Sequence, residues 1–364
     1  MLILCIFRLY DTEKDVLRKS FTLIISDSMK KGVTIKDIAI KLNMSFSTVS
    51  KALNDDPAIS ALTKERVKKL ASDWDYIPNQ AARHFKQNKS FTIGLIIPHL
   101  MDQFFVLAIN GIQKIADEED YHVIISQSNE NPTIESKIIN LMKRNRVDGV
   151  IVAITKKTED LSIFTRIKEL GIPVVFISRP PNDPSFDYVS VNNEDGAFKA
   201  TELLIKRGHK RIGHLMGPIS LGVSLMRLDG YKKALKKYNI NFDEQLVHPV
   251  DFTADSTYRA MKKLLTMKWP PHAIFAFKNY ISLDAIDYLK CKAPDKLEEI
   301  DFVGFGNLPL LQYIDVKPIA SIDENSYQIG YEAVKLLLAR MKTVDSQEVE
   351  KVCHIKIPCK LIMH

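Results

Sequence analysis

The feature that most constrains the fold is an alternation of short apolar segments with helix-period segments from Phe91 onward. The apolar segments are rich in β-branched residues, and they repeat about every 25–30 residues. Buried strands joined by helices are typical of parallel sheets. One set reads FTIGLIIP, HVIISQS, GVIVAI and PVVFIS, and a second reads RIGHLMG, HAIFAF and DFVGFG. Two sets predict two Rossmann-like lobes, closed by a helix near residues 327–341 and one last strand near residues 352–361.

Residues 33–54 form two short helical patterns joined by a polar turn. Thr34 is a candidate N-cap of the first helix, and Asp37 lies in its first turn. Apolar residues recur there at the spacing of one buried helix face: Ile35, Ile38, Ala39 and Leu42. Ser45 is the candidate N-cap of the second helix. The residues on the inward face of that helix are Val49, Ala52 and Leu53. Its outward face holds an aromatic ring, hydroxyls, a cation and an amide: Phe46, Ser47, Ser50, Lys51 and Asn54. Such groups can contact base edges and phosphates in a DNA major groove.

A third helix is predicted from about residue 60 or 63 to Trp74. Its inward residues are Val67, Leu70, Ala71 and Trp74. Three such helices make a bundle whose core is marginal alone, so we expect it to be attached to a larger domain. Residues 75–90 then read as a linker, and a helix within residues 79–86 is too short to be stable in isolation.

Basic charge is concentrated in the same part of the chain. Residues 29–90 hold twelve Lys and Arg against six Asp and Glu, so they carry +6 of the net charge of +7. A basic segment beside a nearly neutral remainder favours a nucleic-acid-binding module. A basic solvated surface without a partner is the alternative.

At these residues the chain resembles the LacI/GalR family of bacterial transcription regulators. The resemblance continues through ISALTKERV, the Tyr-Ile-Pro-Asn run at residues 76–79 and AARHFK, and it covers about residues 30–362. It implies a small all-α helix-turn-helix bundle followed by a two-lobed α/β core like that of periplasmic binding proteins. The alternative, an αα-hairpin within a larger fold, does not account for the third helix and linker.

The resemblance also implies which residues contact DNA. The base-reading positions are Phe46, Ser47 and Lys51. Positions that contact the DNA backbone or support the helices are Ser45, Thr48, Ser50, Asn54, Ser60, Thr63, Lys64, Tyr76 and Asn79. The resemblance further implies that the linker becomes a hinge helix on operator DNA, with Phe85 at the position of the side chain that wedges into the minor groove. Helix capping is the alternative for a single hydroxyl, and packing on the core is the alternative for Phe85.

Effector contacts are expected at the carboxyl ends of the core strands, where open α/β sheets bind ligands. By position, the implied residues are Gln103, Phe104, Ser126, Arg227, Lys278, Asn279 and Asn307. Phe105 and Ser128 are further candidates at the ends of the first and second strands. The aromatic pair has an alternative role in the core of the following helix, and the alternative for Arg227 is a surface ion pair.

The chain departs from the family pattern after two strands. The usual Ala-Asn-Asp run reads Phe277-Lys278-Asn279, and the usual Gly-Phe-Asp run ends in Gly306, so carboxylates are lost and a cation is gained. Lys278 and Arg227 together suggest an anionic effector, such as a sugar phosphate or a sugar acid.

Several classes of function lack their sequence signals. The four cysteines have no metal-ligand spacing, and no nucleophile elbow, P-loop or zinc-protease motif occurs, so we expect no enzyme activity, no metal and no cofactor. No apolar run reaches the length of a membrane span. Sparse thiols suit a reducing cytoplasm.

Four segments are expected. Residues 1–28 are interpreted as a non-native or disordered extension that ends before a start at Met29, with a real extension packing on the head as the alternative. Residues 29–74 form the DNA-binding head, 75–90 the hinge and 91–364 the core. The first lobe comprises about residues 91–190 and 322–345, and the second about 191–321 and 346–364.

The predicted function is a cytoplasmic repressor that binds a palindromic operator as a homodimer and is controlled by a small sugar-like effector. A sugar-binding transport protein without DNA function is the alternative from another class. A second alternative keeps the DNA function but makes a phosphocarrier protein the main regulatory partner.

Overall fold

The computed structural model describes residues 33–76, 89–343 and 351–364. The chain divides into two compact units, residues 1–87 and residues 88–364. The proposed extension at residues 1–28, Asn79 and Phe85 lie outside the described residues.

Three helices make up the described part of the first unit. They are α1 (Ile35–Leu42), α2 (Phe46–Leu53) and α3 (Ala61–Asp73). Their shared core consists of small and β-branched side chains: Ile38, Ala39, Val49, Ala52, Val67 and Ala71. The inward residues predicted from helical spacing therefore meet, which confirms the predicted helix-turn-helix bundle.

The first lobe of the second unit is built on a six-stranded sheet in which every pair of neighbouring strands is parallel. Its strands are β1 (Thr92–Ile97), β2 (His122–Gln127), β3 (Gly149–Val152), β4 (Val174–Ile177), β5 (Asp187–Val191) and β11 (His354–Ile357). Its helices are α4 (Gln103–Glu118), α5 (Pro132–Arg144), α6 (Ser162–Glu169) and α11 (Ser326–Thr343). The strand order is β11-β5-β4-β3-β1-β2, so β2 is an edge strand.

The second lobe repeats this architecture. Its strands are β6 (Ile212–Met216), β7 (Val247–Pro249), β8 (Ala273–Ala276), β9 (Asp301–Phe305), β10 (Ala320–Asp323) and β12 (Lys360–Met363). Its helices are α7 (Asn193–Lys206), α8 (Gly222–Lys237), α9 (Ala254–Leu265) and α10 (Asn279–Lys292), with short 3-10 turns at Glu244–Leu246, Pro294–Lys296 and Pro309–Tyr313. The order is β12-β10-β9-β8-β6-β7, and only β12 runs antiparallel to its neighbour.

The chain passes between the two sheets three times: after β5, after β10 and after β11. One expectation is therefore wrong. The last strand is two strands in different sheets, because Pro358 follows β11 and has no N–H to continue a ladder. Residues 354–357 consequently belong to the first sheet, although residues 346–364 were expected in the second lobe.

One helix pair in each lobe packs unusually closely. In the first lobe, a Cβ on Gly330 of α11 would lie 1.9 Å from the Ala108 carbonyl oxygen of α4. In the second, a Cβ on Gly230 of α8 would lie 2.1 Å from the Glu194 carbonyl oxygen of α7. Glycine is required at both crossings because the backbones themselves touch. No helix among the described residues is long and apolar enough to span a membrane.

Candidate nucleic-acid interface and ligand cleft

The turn between α1 and α2 is fixed by side-chain caps at both helix starts. At α1 the Thr34 N–H donates to the Asp37 carboxylate at 2.8 Å, and the Asp37 N–H donates to Thr34 Oγ1. Hydrogen bonds from Thr34 lower the pKa of Asp37. Asn43 ends α1 with φ +51°, a left-handed conformation that asparagine tolerates. Ser45 then starts α2 by accepting from the Thr48 N–H at 3.0 Å. These local bonds set the direction of α2.

The outward face of α2 carries the three predicted base-reading residues. Val49 and Ala52 face the opposite way and are buried in the helical core. The Phe46 side chain is 52% exposed, and Ser47 and Lys51 are also exposed. Within the described residues, none of the three side chains has a hydrogen bond or an ion pair. An exposed aromatic ring costs hydration free energy, so this face is suited to a partner surface.

The predicted backbone-contacting residues fall into two groups. Ser45 and Thr48 share a hydroxyl–hydroxyl bond of 2.8 Å, and Ser60 and Thr63 share another at the start of α3. Ser45 and Ser60 cap their helices by accepting from the backbone N–H groups of Thr48 and Thr63, and the two threonine hydroxyls bond to these caps, whether or not any of the four contacts DNA.

The other described members hold the loop and the end of the bundle. Asn54 ends α2 and donates to the Ser50 carbonyl at 2.8 Å, and the Lys64 ammonium donates to the Asp55 carbonyl at 3.0 Å. Tyr76 packs against the helical core.

A cavity of about 240 Å³ lies between the lobes, at the carboxyl ends of β1, β8, β9 and β10. Four of the predicted effector residues line it: Gln103, Phe104, Lys278 and Asn307. Other lining residues include three carboxylates and an aromatic ring that the sequence did not single out: Asp102, Asp323, Glu324 and Tyr280. Asp102 directly precedes Gln103, and Asp323 and Glu324 end and follow a strand, so the strand-end rule could have found them.

Arg227 lies behind this cavity and is almost wholly buried. Its guanidinium donates to Asn193 Oδ1 at 2.8 Å, to Glu324 Oε1 at 2.8 Å and to the Phe277 carbonyl. It also stacks 3.5 Å from the centroid of the Phe305 ring. Burial lowers the pKa of Arg227 and raises that of Glu324. Arg227 therefore organises the cavity wall rather than presenting a free cation.

The two cations that suggested an anionic effector both have carboxylate partners. Arg227 pairs with Glu324, and Lys278 pairs with Asp102 across the cleft. Burial alone would raise the pKa of Asp102, but the Lys278 ammonium outweighs burial and lowers it. The cavity wall thus holds three carboxylates and one ammonium, so its charge does not favour an anion.

The remaining predicted effector residues are placed away from the cavity surface. Asn279 is fully buried and donates to the Gly306 carbonyl at 2.6 Å and to Ser321 Oγ at 2.6 Å. Ser126 is half-buried in β2 and does not line the cavity. Ser128 is buried and donates to the Ile97 carbonyl. Phe104 and Phe105 are both buried in an edge-to-face pair, so core packing describes Phe105 and only Phe104 also reaches the cavity.

A second polar network lies just beyond the carboxyl ends of β2, β3 and β4. Arg179 makes a bidentate pair with Glu130 at 2.7 and 3.1 Å and also donates to the Ile154 carbonyl. Glu130 in turn accepts from the Lys156 N–H at 2.6 Å. The network fixes the loop after β3, which carries Lys156 toward the second lobe.

Comparison with known proteins agrees with both units. A family model described as "Bacterial regulatory proteins, lacI family" matches residues 34–79. A model described as "Periplasmic binding proteins and sugar binding domain of LacI family" matches residues 90–364. The HTH-type transcriptional repressor CytR of Escherichia coli is 33% identical over 311 residues, which cover 85% of this chain and 90% of CytR.

Two further similarities extend over most of the chain. Catabolite control protein A of Priestia megaterium is 30% identical and covers 88% of this chain and 96% of its own length. The solved lac repressor dimer bound to operator and the anti-inducer ONPF has a TM-score of 0.77 at 22% identity, with 91% of this chain and 98% of that chain covered. At that identity the structural match establishes a shared fold.

Proposed function

Since the chain belongs to the LacI family of bacterial regulatory proteins, we propose that it is a transcriptional repressor that binds a palindromic operator as a homodimer. It is a regulator and not an enzyme, because its relatives CytR and PurR are transcriptional repressors. A small effector in the cleft between the lobes controls its affinity for DNA. It acts in the cytoplasm, where a bacterial chromosome lies.

The observation that carries this proposal is the exposed face of α2. Phe46, Ser47 and Lys51 project from one side of a capped helix whose opposite side is buried. The ammonium of Lys51 can donate to guanine O6 or N7, and the Phe46 ring can contact a thymine methyl group. Lysine lacks the bidentate fork of arginine, so we expect looser discrimination at its base pair.

Homodimer formation is supported by exposed apolar side chains at one edge of the first lobe. The edge strand β2 exposes Ile124 and Ile125, and helix α4 beside it exposes Val106. An isolated subunit would leave these three side chains and an unpaired strand edge in water. A dimer places one head on each half of an inverted repeat, as in the operator complex of the lac repressor dimer.

The chemistry of the cavity supports an effector rich in hydroxyl groups. Asp323 and Glu324 offer carboxylate oxygens, Gln103 and Asn307 offer amides, and Phe104 offers an aromatic surface. Carboxylates and amides bind hydroxyl groups, and an aromatic ring can pack on the apolar face of a sugar. A ligand that contacts both lobes has different affinities for their different arrangements, so it shifts the balance between them and must be reciprocally coupled to DNA binding.

Selection from a random DNA library tests the proposal. Full-length protein is incubated with random duplexes, and bound sequences are recovered and sequenced over several rounds. We expect enrichment of one inverted repeat, and its loss with the double variant Phe46→Ala/Lys51→Ala. Recovery of no common sequence, or of the same repeat by the double variant, would refute a base-reading role for α2.

A further inference from the structure

Side chains of the two lobes contact each other directly across the ligand cleft. At the cavity, the Lys278 ammonium of the second lobe pairs with the Asp102 carboxylate of the first. Beside it, Gln103 Nε2 donates to the Asn307 carbonyl at 3.4 Å. From the loop after β3 in the first lobe, the Lys156 ammonium donates to the Asp251 carbonyl at 2.8 Å.

The Lys278 side chain crosses the cleft from a backbone position in the second lobe. Lys278 is the residue before α10 and has an extended backbone, with φ −141° and ψ 154°. Its side chain makes no capping hydrogen bond to its own helix. The residue leaves the end of β8 through Phe277, so its position is fixed by the sheet of the second lobe.

A hydrogen bond from the start of α4 also holds the Asp102 carboxylate in position. Asp102 precedes α4, and one carboxylate oxygen accepts from the Phe104 N–H at 3.1 Å while the other takes the Lys278 ammonium. Only 19% of the Asp102 side chain and 21% of the Lys278 side chain are exposed, and both residues line the cavity. Removing Lys278 would leave a largely desolvated carboxylate that faces the cavity.

An aromatic ring also lies near the Lys278 ammonium, and it is shared with Lys156, whose Nζ lies 5.4 Å from the ring centroid. Lys278 Nζ lies 5.6 Å from the centroid of the Phe252 ring, within the range of a cation–π contact. A carboxylate on one side and an aromatic face on another are the groups with which proteins bind ammonium ligands.

We propose that Asp102 and Phe252 form an ammonium-binding position in the cleft and that Lys278 occupies it as a ligand built into the chain. A molecule carrying a primary amine competes with Lys278 for this position. While Lys278 is bound there, it holds the lobes together. That this contact regulates DNA binding rests on the proposed function, whereas the ammonium position itself does not.

Hydrogen exchange of the full-length protein measures how firmly the lobes are held. In Lys278→Met, which removes the ammonium but keeps an unbranched side chain of nearly the same length, we expect backbone amides in residues 99–107 and 303–310 to exchange at least fivefold faster. Lys278→Arg keeps the cation and should retain protection. Lys233→Met is the matched control, because it breaks an exposed ion pair with Glu194 within the second lobe. Unchanged exchange in Lys278→Met, or an equal rise in Lys233→Met, would overturn the proposal.

Rescue with a free amine tests the ammonium position directly. In Lys278→Ala, n-propylammonium supplies the atoms that the substitution removes, and we expect it to restore protection of the same two segments at constant ionic strength. The uncharged n-propanol should not. Asp102→Asn/Lys278→Ala keeps a capping side chain and should not respond to the amine. An amine effect that is absent from Lys278→Ala, or equal in the double variant, would show that Asp102 does not bind ammonium groups. No DNA is present, so this result is independent of the repressor proposal.

Discussion

Arg227 and Glu324 form an ion pair of 2.8 Å whose side chains are only 4% and 7% exposed. The pair joins helix α8 to the end of β10, and Asn193 and the Phe277 carbonyl take further donors of the same guanidinium. Both charges have lost most of their water, so each depends on the other. The pair therefore supports the wall of the ligand cavity only while both charged side chains keep their hydrogen-bond partners.

Removing the cation from this pair should destabilise the protein strongly. We expect Arg227→Met to lower the free energy of unfolding by about 3–5 kcal/mol at pH 7, because Glu324 would remain buried without its partner. Urea denaturation of the variant and the native protein measures the difference.

The loss should also depend on pH with a definite sign. Burial already raises the pKa of Glu324, and loss of Arg227 raises it further. A carboxyl group whose folded pKa is raised favours folding at low pH, and this contribution is lost as pH rises. The deficit of Arg227→Met should thus be smaller at pH 5 than at pH 7. A deficit that does not change with pH would contradict the buried carboxylate as its cause.

The crossing of α4 and α11 should not tolerate a methyl group. In Gly330→Ala the new Cβ would meet a backbone oxygen at 1.9 Å, so the two helices must separate. We expect a loss of about 1–3 kcal/mol or more in unfolding free energy. Gly222→Ala is the matched control, because its nearest atom would be a side-chain oxygen at 3.6 Å. Equal stabilities of the two variants in urea would show that the crossing is not tight.

His214 should make the core less stable in mild acid. It is fully buried between Tyr231 and Phe275, its Nδ1 lies 3.0 Å from the Phe275 carbonyl, and its Nε2 has no partner. Burial lowers its pKa to about 4. Between the unfolded pKa of about 6.5 and that value the unfolded state binds the proton, so stability falls as pH falls.

Replacing this histidine should reduce the acid sensitivity. We expect His214→Phe to lose about 2 kcal/mol less than the native protein between pH 7 and pH 5, as measured by urea denaturation at each pH. Parallel losses in the two proteins would assign the acid sensitivity to other groups.

Ser45 should contribute to the helical head through capping. Ser45→Ala removes the acceptor for the Thr48 N–H and should cost about 1 kcal/mol of stability. Asparagine caps equally well, so Ser45→Asn should restore stability, and circular dichroism of the full chain during thermal unfolding follows the change. If Ser45→Asn were as unstable as Ser45→Ala, the capping explanation would fail.

Much of the fold follows from periodic patterns in the sequence. The β-branched segments predict the strands of both sheets because buried parallel strands are apolar on both faces, and the inward residues of α1 and α2 follow from helical spacing. The division of the last strand does not follow, because residues 352–361 satisfy a strand pattern whichever sheet they join. Pro358 was the local signal that the ladder stops there.

The sequence predicts the DNA-binding face more completely than it predicts the ligand cavity. The exposed face of α2 follows from the burial of its opposite face, which is local information. Strand-end position identifies Gln103, Lys278 and Asn307, but pairing across the cleft depends on how the lobes approach each other. The sequence therefore suggested free cations at Arg227 and Lys278, whereas Glu324 and Asp102, far away along the chain, neutralise both.

The binding constants of Lys51→Ala for selected operator and for random DNA test the central claim most directly. Lys69→Ala is the control, because it also removes one exposed lysine from the helical head. We predict that Lys51→Ala loses about 1–3 kcal/mol of operator affinity beyond its loss on random DNA, with specificity relaxed at one base pair in each half-site. Lys69→Ala should weaken both complexes alike. An equal loss on operator and random DNA for Lys51→Ala would contradict base reading by the outward face of α2.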